Sequence, residues 1–88
     1  MEQVQITPEQ IRIMKHAIGF KQDKVKRGKY IAWRNYFACY DQREEWEGLV
    51  KVGLAVTYRS ERQYFYHVSE EGLKVLAELL SVKIVQGE

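Results

Sequence analysis

The sequence predicts one small α+β domain that is mostly helical. Its 88 residues are enough for a single hydrophobic core and too few for two. Apolar residues recur at helical spacing in four segments, and residues 54–68 change to the composition of β-strands. We therefore expect a single domain over residues 1–88, in the order helix, helix, helix, hairpin, helix.

The first helix is predicted over residues 8–19. Thr7 precedes Pro8 and lies three residues before Gln10, which is the pattern of a capping box with proline at the first helical position. Apolar side chains then fall on one face. Gly19 is typical of the residue that ends a helix.

A second helix is predicted over residues 29–38, after a basic connection at residues 20–29. Four aromatic residues occur at i, i+3, i+4 and i+7: Trp33, Tyr36, Phe37 and Tyr40. This spacing favours one face of a helix that packs into the core. Four aromatics within eight residues are also typical of a surface on which nucleic-acid bases stack.

A third helix is predicted over residues 42–52. Asp41 and Glu44 have the spacing of a second capping box, and Gly53 stands where a helix-ending glycine belongs. Only about three residues separate the second and third helices, which is typical of a helix-turn-helix connection.

The rest of the chain predicts a hairpin and a last helix. Strands at 54–58 and 63–68 are rich in β-branched and aromatic residues and flank a short charged connection. Ser69 is the expected N-cap of a helix over residues 70–80. Residues 82–88 are interpreted as a C-terminal extension, either a strand or a partner contact.

This order of elements matches the winged helix-turn-helix fold. The segment Leu49 to Leu54, the charged hairpin and the segment Tyr66 to Gly72 resemble winged-helix regulators of the MarR and PadR type over residues 45–80. In those families a glycine–leucine step ends a helix before the wing, and a second glycine-containing step opens the next helix. The resemblance implies a winged-helix scaffold. The whole chain also resembles small uncharacterised phage and prophage proteins, which implies a mobile-element origin.

Residue patterns typical of catalysis are sparse. His16 and His67 have no motif partner, Cys39 is the single cysteine, and no phosphate-binding glycine loop or zinc motif occurs. We expect a non-enzymatic protein with no cofactor, no metal and no small-molecule substrate. The lone cysteine and the lack of a long apolar run predict a cytoplasmic protein that does not enter a membrane.

The charge distribution predicts an anionic partner. The net charge is only +2, but residues 1–40 carry eight Lys and Arg against three acids, whereas acids dominate residues 41–88. Basic segments of this kind contact phosphates. The other interpretation is a solvated loop. The candidate DNA-binding residues lie in the connection, at the start of the third helix and at the hairpin tip: Lys21, Lys24, Lys26, Arg27, Lys29, Arg34, Gln42, Arg43, Arg59 and Arg62.

One feature opposes the usual way in which a winged helix reads DNA. The third helix carries four acids, Asp41, Glu44, Glu45 and Glu47, and such a helix is repelled by the phosphates that border the major groove. Two functions therefore stay open. One is a regulatory or accessory protein that binds DNA through the basic loop and wing. The other is an adaptor that binds a protein partner or a second copy of itself through exposed aromatics.

Overall fold

Three helices and two small β-sheets form the structure of this chain, a computed structural model in which residues 6–86 are described. The order is α1 (Pro8–Ala17), a 3₁₀ turn (Gln22–Lys24), β1 (Lys29–Ala32), β2 (Phe37–Cys39), α2 (Glu44–Lys51), β3 (Ala55–Ser60), β4 (Gln63–Val68), α3 (Glu70–Leu80) and β5 (Lys83–Gln86). No helix within this range is long and apolar enough to cross a bilayer.

The larger sheet is antiparallel, with the strand order β2-β4-β3. Phe37 pairs with Tyr66 across β2 and β4, and Ala55 pairs with Val68 across β3 and β4. The smaller sheet pairs β1 with β5 in parallel, and in it Tyr30 lies opposite Ile84. The last described strand therefore pairs with a strand more than fifty residues earlier in the chain.

The core lies between the helices and one face of the larger sheet. Trp46 of α2 is fully buried and stacks on Tyr66 of β4, with ring centroids 5.3 Å apart. Phe37 of β2 lies 5.7 Å from the same indole. Met14 of α1 and Leu76 of α3 are also fully buried in this cluster. Burial of such large rings supplies most of the apolar free energy that a domain of this size can gain.

Several predicted elements are confirmed. The capping box of α1 forms as expected, because Thr7 Oγ accepts from the Gln10 amide at 3.0 Å and the Gln10 side chain accepts from the Thr7 amide at 2.9 Å. The second strand of the hairpin and α3 lie where the sequence predicts them, whereas β3 runs to Ser60, two residues beyond the strand predicted over 54–58. Ser69 caps α3 by accepting from the Gly72 amide at 3.0 Å. The C-terminal extension forms a strand, β5, which was one of the two interpretations.

The helix predicted over residues 29–38 is wrong. This segment forms β1 and β2 instead, and both strands are held by distant partners that the local spacing does not reveal. Trp33, Tyr36 and Tyr40 are each more than half exposed, so three of the four aromatics lie outside the core. The expected helix-turn-helix connection is therefore not formed, and the chain is not mostly helical.

The second predicted capping box is also wrong. Helix α2 begins at Glu44 rather than residue 42, and its N-cap is Arg43, which makes no side-chain capping bond. Asp41 is exposed outside the helix. Acidic residues in the first turn of α2 favour this start even without a cap, because they interact well with the positive end of the helix dipole.

Candidate nucleic-acid interface

A tight basic turn precedes β1. Lys26 and Lys29 exchange two backbone hydrogen bonds of 2.8 and 2.9 Å. Between them Arg27 and Gly28 both have positive φ, 53° and 74°, as a type I′ hairpin turn requires. Glycine adopts this conformation easily, whereas an arginine there costs conformational free energy. The turn holds the basic side chains at a defined place on the surface.

The smaller sheet gathers these cations with one more from the C-terminal end. Lys24, Lys26 and Lys29 line one shallow depression, and the register of β1 with β5 places Lys83 directly beside Lys29. The Lys83 amide also donates to the Gly28 carbonyl at 2.7 Å. We call this group, Lys24, Lys26, Arg27, Lys29 and Lys83, the basic cluster.

The basic cluster is free to bind an external anion. All five side chains are exposed, and none pairs with a carboxylate among residues 6–86. Asp23 is the one acid in the adjoining 3₁₀ turn. The sequence did not predict Lys83 as a member, because a lysine in a C-terminal segment gives no signal until the strand pairing is known.

A second group of cations surrounds the hairpin tip. Arg62 lines a depression with Tyr40 beside the turn of the hairpin, and Arg43 borders Tyr40 from the other side. The guanidinium of Arg59 lies over the Tyr64 ring, 5.4 Å from its centroid. We call Arg59 and Arg62 the tip cluster. The sequence predicted Arg43, Arg59 and Arg62 as DNA-binding residues. The structure brings Arg59 and Arg62 to one end of the larger sheet, whereas the Arg43 guanidinium lies over the Phe37 ring, 5.9 Å from its centroid, beside Trp46.

Three other predicted residues lie outside both clusters. Arg34 is partly buried, donates to the His16 carbonyl at 2.7 Å and lies over the Trp33 ring, so it anchors the chain after β1 to α1. Lys21 is exposed at the residue before the 3₁₀ turn. Gln42 is exposed in the segment that leads into α2.

On α1, Arg12 donates two hydrogen bonds to Glu9 and is therefore neutralised locally. This pairing lowers the pKa of Glu9 and raises that of Arg12, chiefly through the hydrogen bonds between them.

Helix α2 is built as a core helix. Trp46 and Leu49 are buried, and the Tyr66 hydroxyl donates to Glu47 Oε2 at 2.5 Å while it accepts from the Arg43 amide at 3.3 Å. Burial of the ring and the neighbouring Glu47 carboxylate raise the pKa of Tyr66 to about 12. Glu47, one of the acids of this helix, thus contributes to the packing of α2 against β4.

The opposite face of the larger sheet is open. Successive strand residues point to opposite faces, so the residues between the buried ones point away from the core. The outward set is Ala38 on β2, Val56, Tyr58 and Ser60 on β3, and Gln63, Phe65 and His67 on β4. We call this surface the open face. None of its residues is fully buried.

The open face carries a ladder of parallel rings. Tyr58 stacks on Phe65 with centroids 5.1 Å apart and on His67 at 5.5 Å, with interplanar angles of 14° and 15°. The His67 ring is fixed by its Nδ1, which donates to the Asn35 carbonyl at 2.5 Å and leaves Nε2 as the second polar atom of the ring. The sequence predicted only that Tyr58, Phe65 and His67 lie in strands.

No three His, Cys, Asp or Glu side chains of the described segment converge on a point that could hold a metal ion. Comparison of this chain with protein-family models, with curated proteins and with solved structures finds no match.

Proposed function

We propose that this protein binds DNA non-enzymatically, through phosphate contacts made by the basic cluster and the tip cluster. The observation that carries the proposal is the pairing of β1 with β5, which adds Lys83 to Lys24 and the three cations of the turn. Such a group neutralises several phosphates, and the released counterions drive binding at low salt. A regulatory or accessory role in a phage or prophage is the biological context that we propose with it.

The scaffold that we propose is winged-helix-like, with β3 and β4 as the wing. The hairpin supports this interpretation because its tip carries Arg59 and Arg62 beyond the buried part of the sheet. Helix α2 is not proposed to read base edges. Glu44 and Glu45 would face phosphates in the major groove at an electrostatic cost.

Charge reversal in the basic turn tests the proposal. We expect Lys26→Glu with Arg27→Glu to weaken binding to any duplex sequence and to reduce the dependence of log K on log salt by about one unit for each lost phosphate contact. The measurement is fluorescence anisotropy of a labelled duplex at a series of salt concentrations.

Arg27→Asn is the matched control for folding. Asparagine tolerates positive φ and removes one charge without disturbing the turn. This variant should unfold at the same or a higher urea concentration than the wild type while its salt dependence falls. Failure of the unaltered protein to bind any duplex at low salt would contradict the proposal.

The alternative is an adaptor that binds protein, and one observation favours it. Eight large apolar or aromatic side chains among the described residues are more than half exposed, including Trp33 at 64%. Exposed aromatics of this kind are enriched at protein interfaces. A defined partner, or a second copy, that co-purifies without nucleic acid would favour the adaptor.

A further inference from the structure

We infer that two copies of this chain pair through β5, edge to edge, in an antiparallel dimer. Within the described residues the smaller sheet has two strands, so each strand has one side without a neighbouring strand. Edge strands of this kind present backbone groups that pair with a strand of another chain. The inference goes beyond the proposed function, because it holds whether or not the cations bind DNA.

The hydrogen bonding of β5 shows which of its backbone groups face away from β1. The Lys83 amide donates to the Gly28 carbonyl, which directly precedes β1, at 2.7 Å. The amide and carbonyl of one strand residue point to the same side, and successive residues alternate. Those of Ile84 and Gln86 therefore point away from β1. Within residues 6–86 no backbone group outside the smaller sheet bonds to them.

A groove runs along this side of β5. One flank of α3 and β5 itself line it, and no residue of β1 does; the lining consists of Glu70, Leu73, Lys74, Ala77, Glu78, Lys83, Ile84 and Gln86. The groove therefore lies on the side of β5 that is opposite β1, and we call it the α3–β5 groove. Its apolar surface comes from Leu73, Ala77 and Ile84. A strand that pairs with β5 covers this apolar surface at the same time.

The charges favour a second copy as the occupant. Acids and lysines are equal in number along the α3–β5 groove, with Glu70 and Glu78 against Lys74 and Lys83. A mixed surface of this kind meets its own two-fold copy without net repulsion, and it offers little to a strongly charged segment. Pairing through β1 instead would bring two basic clusters together, which like charges oppose.

Two-fold symmetry gives a register that uses all of these backbone groups. Ile84 of each copy pairs with Gln86 of the other, and each such pair exchanges two N–H···O bonds. Val85 then lies opposite its own counterpart, in a non-hydrogen-bonded pair where β-branched side chains contact each other favourably. Lys83 does not lie opposite Lys83 of the second copy, so no like charges face each other directly.

The paired sheet has the strand order β1-β5-β5-β1 and presents two basic clusters on one face. Lys29 lies beside Lys83 in each copy, and the register keeps both pairs on the same side of the sheet. A duplex that contacts both clusters should show a steeper dependence of log K on log salt than one bound by a single copy. This consequence rests on the proposed function, whereas the dimer itself does not.

Gln86→Pro tests the edge. Gln86 is exposed and its amide points away from β1, so proline there removes no hydrogen bond within the chain and is tolerated on an edge strand. We expect this variant to raise the Kd of the dimer by roughly 5- to 150-fold, since each dimer loses two backbone hydrogen bonds. Sedimentation equilibrium measures the Kd. Gln86→Ala is the matched control, because it keeps the amide and should dimerise like the wild type.

Val85→Cys tests the register. In a non-hydrogen-bonded antiparallel pair the Cα atoms are about 4.5 Å apart, which is within the range of about 4.4–6.8 Å that a disulfide spans. We expect this variant to form a covalent dimer on mild oxidation, seen by electrophoresis without reductant. Lys83→Cys should not, because its counterpart lies about 14 Å away in this register. Cys39 is buried and does not compete. Thermal unfolding of each variant checks that the fold is retained.

Three results would overturn the inference. A wild type that stays monomeric up to about 1 mM would remove the dimer, while duplex binding would still decide the proposed phosphate contacts. A dimer that is unaffected by Gln86→Pro, or that does not cross-link through Val85→Cys, would place the interface on another surface. A different protein that co-purifies with a monomeric wild type and is lost in Gln86→Pro would assign the α3–β5 groove to that protein.

Discussion

At the scale of single residues, Gly72 shows how a motif encodes packing. It lies in the first turn of α3, where a Cβ atom would stand 2.1 Å from the Leu54 carbonyl oxygen and 2.8 Å from a Val68 methyl group. The glycine lets the helix approach the start of the hairpin closely, and the Ser69 amide donates to the same Leu54 carbonyl at 3.0 Å. Close packing of α3 against the start of the hairpin therefore explains the glycine at the end of the Tyr66 to Gly72 segment.

Gly72→Ala should destabilise the protein by about 1–3 kcal/mol, because the clash is with rigid backbone and outweighs the better helix propensity of alanine. Urea unfolding measures the change. Gly48→Ala in α2 is the comparison and should cost less, since its nearest neighbour is a side-chain atom, Gln10 Nε2 at 3.0 Å, instead of backbone at 2.1 Å. Equal stability of the two variants would contradict this account of Gly72.

At the scale of elements, Tyr66 joins α2 to the centre of the larger sheet. Its ring stacks on Trp46 and its hydroxyl bonds to both Glu47 and the Arg43 backbone. These bonds link β4 to the uncapped start of α2. These two hydrogen bonds therefore stabilise the N-terminal end of α2, which has no side-chain cap.

Tyr66→Phe should cost about 1–2 kcal/mol at neutral pH through loss of the hydrogen bond to a carboxylate. The pKa of Tyr66 is about 12 in the folded protein and about 10 when unfolded. Its stabilising effect is therefore complete below pH 10 and is lost as the pH rises towards 12. Denaturant unfolding at several alkaline pH values measures this loss.

In the phenylalanine variant the alkaline loss should be smaller. Some loss should remain, because burial also raises the pKa of Tyr30, whose hydroxyl donates to the Gly19 carbonyl. An alkaline decline of stability that is identical in the wild type and in Tyr66→Phe would show that Tyr66 does not titrate in this range.

At the scale of the whole molecule, cations from distant parts of the sequence meet on the smaller sheet. Lys83 joins the turn cations only because β5 pairs with β1. The chain is nearly neutral in sum, with a net charge of +2, yet this sheet and the turns before it present five exposed cations together. Local clustering, more than net charge, determines attraction to phosphates within a Debye length of about 10 Å.

Lys83→Glu should therefore weaken duplex binding and lower the salt slope by about one unit. Lys51→Glu makes the same change in charge at the last residue of α2, outside both clusters, and should have a smaller effect. Anisotropy titrations of both variants measure the difference. If the two variants bind alike, the effect is one of net charge and the basic cluster has no special role.

Elements held by adjacent residues could be predicted from the sequence. The α1 capping box, the Ser69 cap and the helix at 70–80 depend on contacts within a few residues, and the hairpin pairs two strands that follow each other in the chain. Most of the candidate cations could also be predicted from the sequence, because the charge of a side chain does not depend on the fold.

The sequence by itself thus determined the caps of α1 and α3, the hairpin, the last helix and the positions of the basic residues. Only the tertiary structure decided that residues 29–38 form two strands, that Lys83 belongs to the basic cluster, and that Tyr58, Phe65 and His67 stack on an open face. The physical reason is the range of the forces. Helix spacing and capping act over a few residues, whereas strand pairing with β4 and β5 is stabilised by partners far along the chain, which override local propensity.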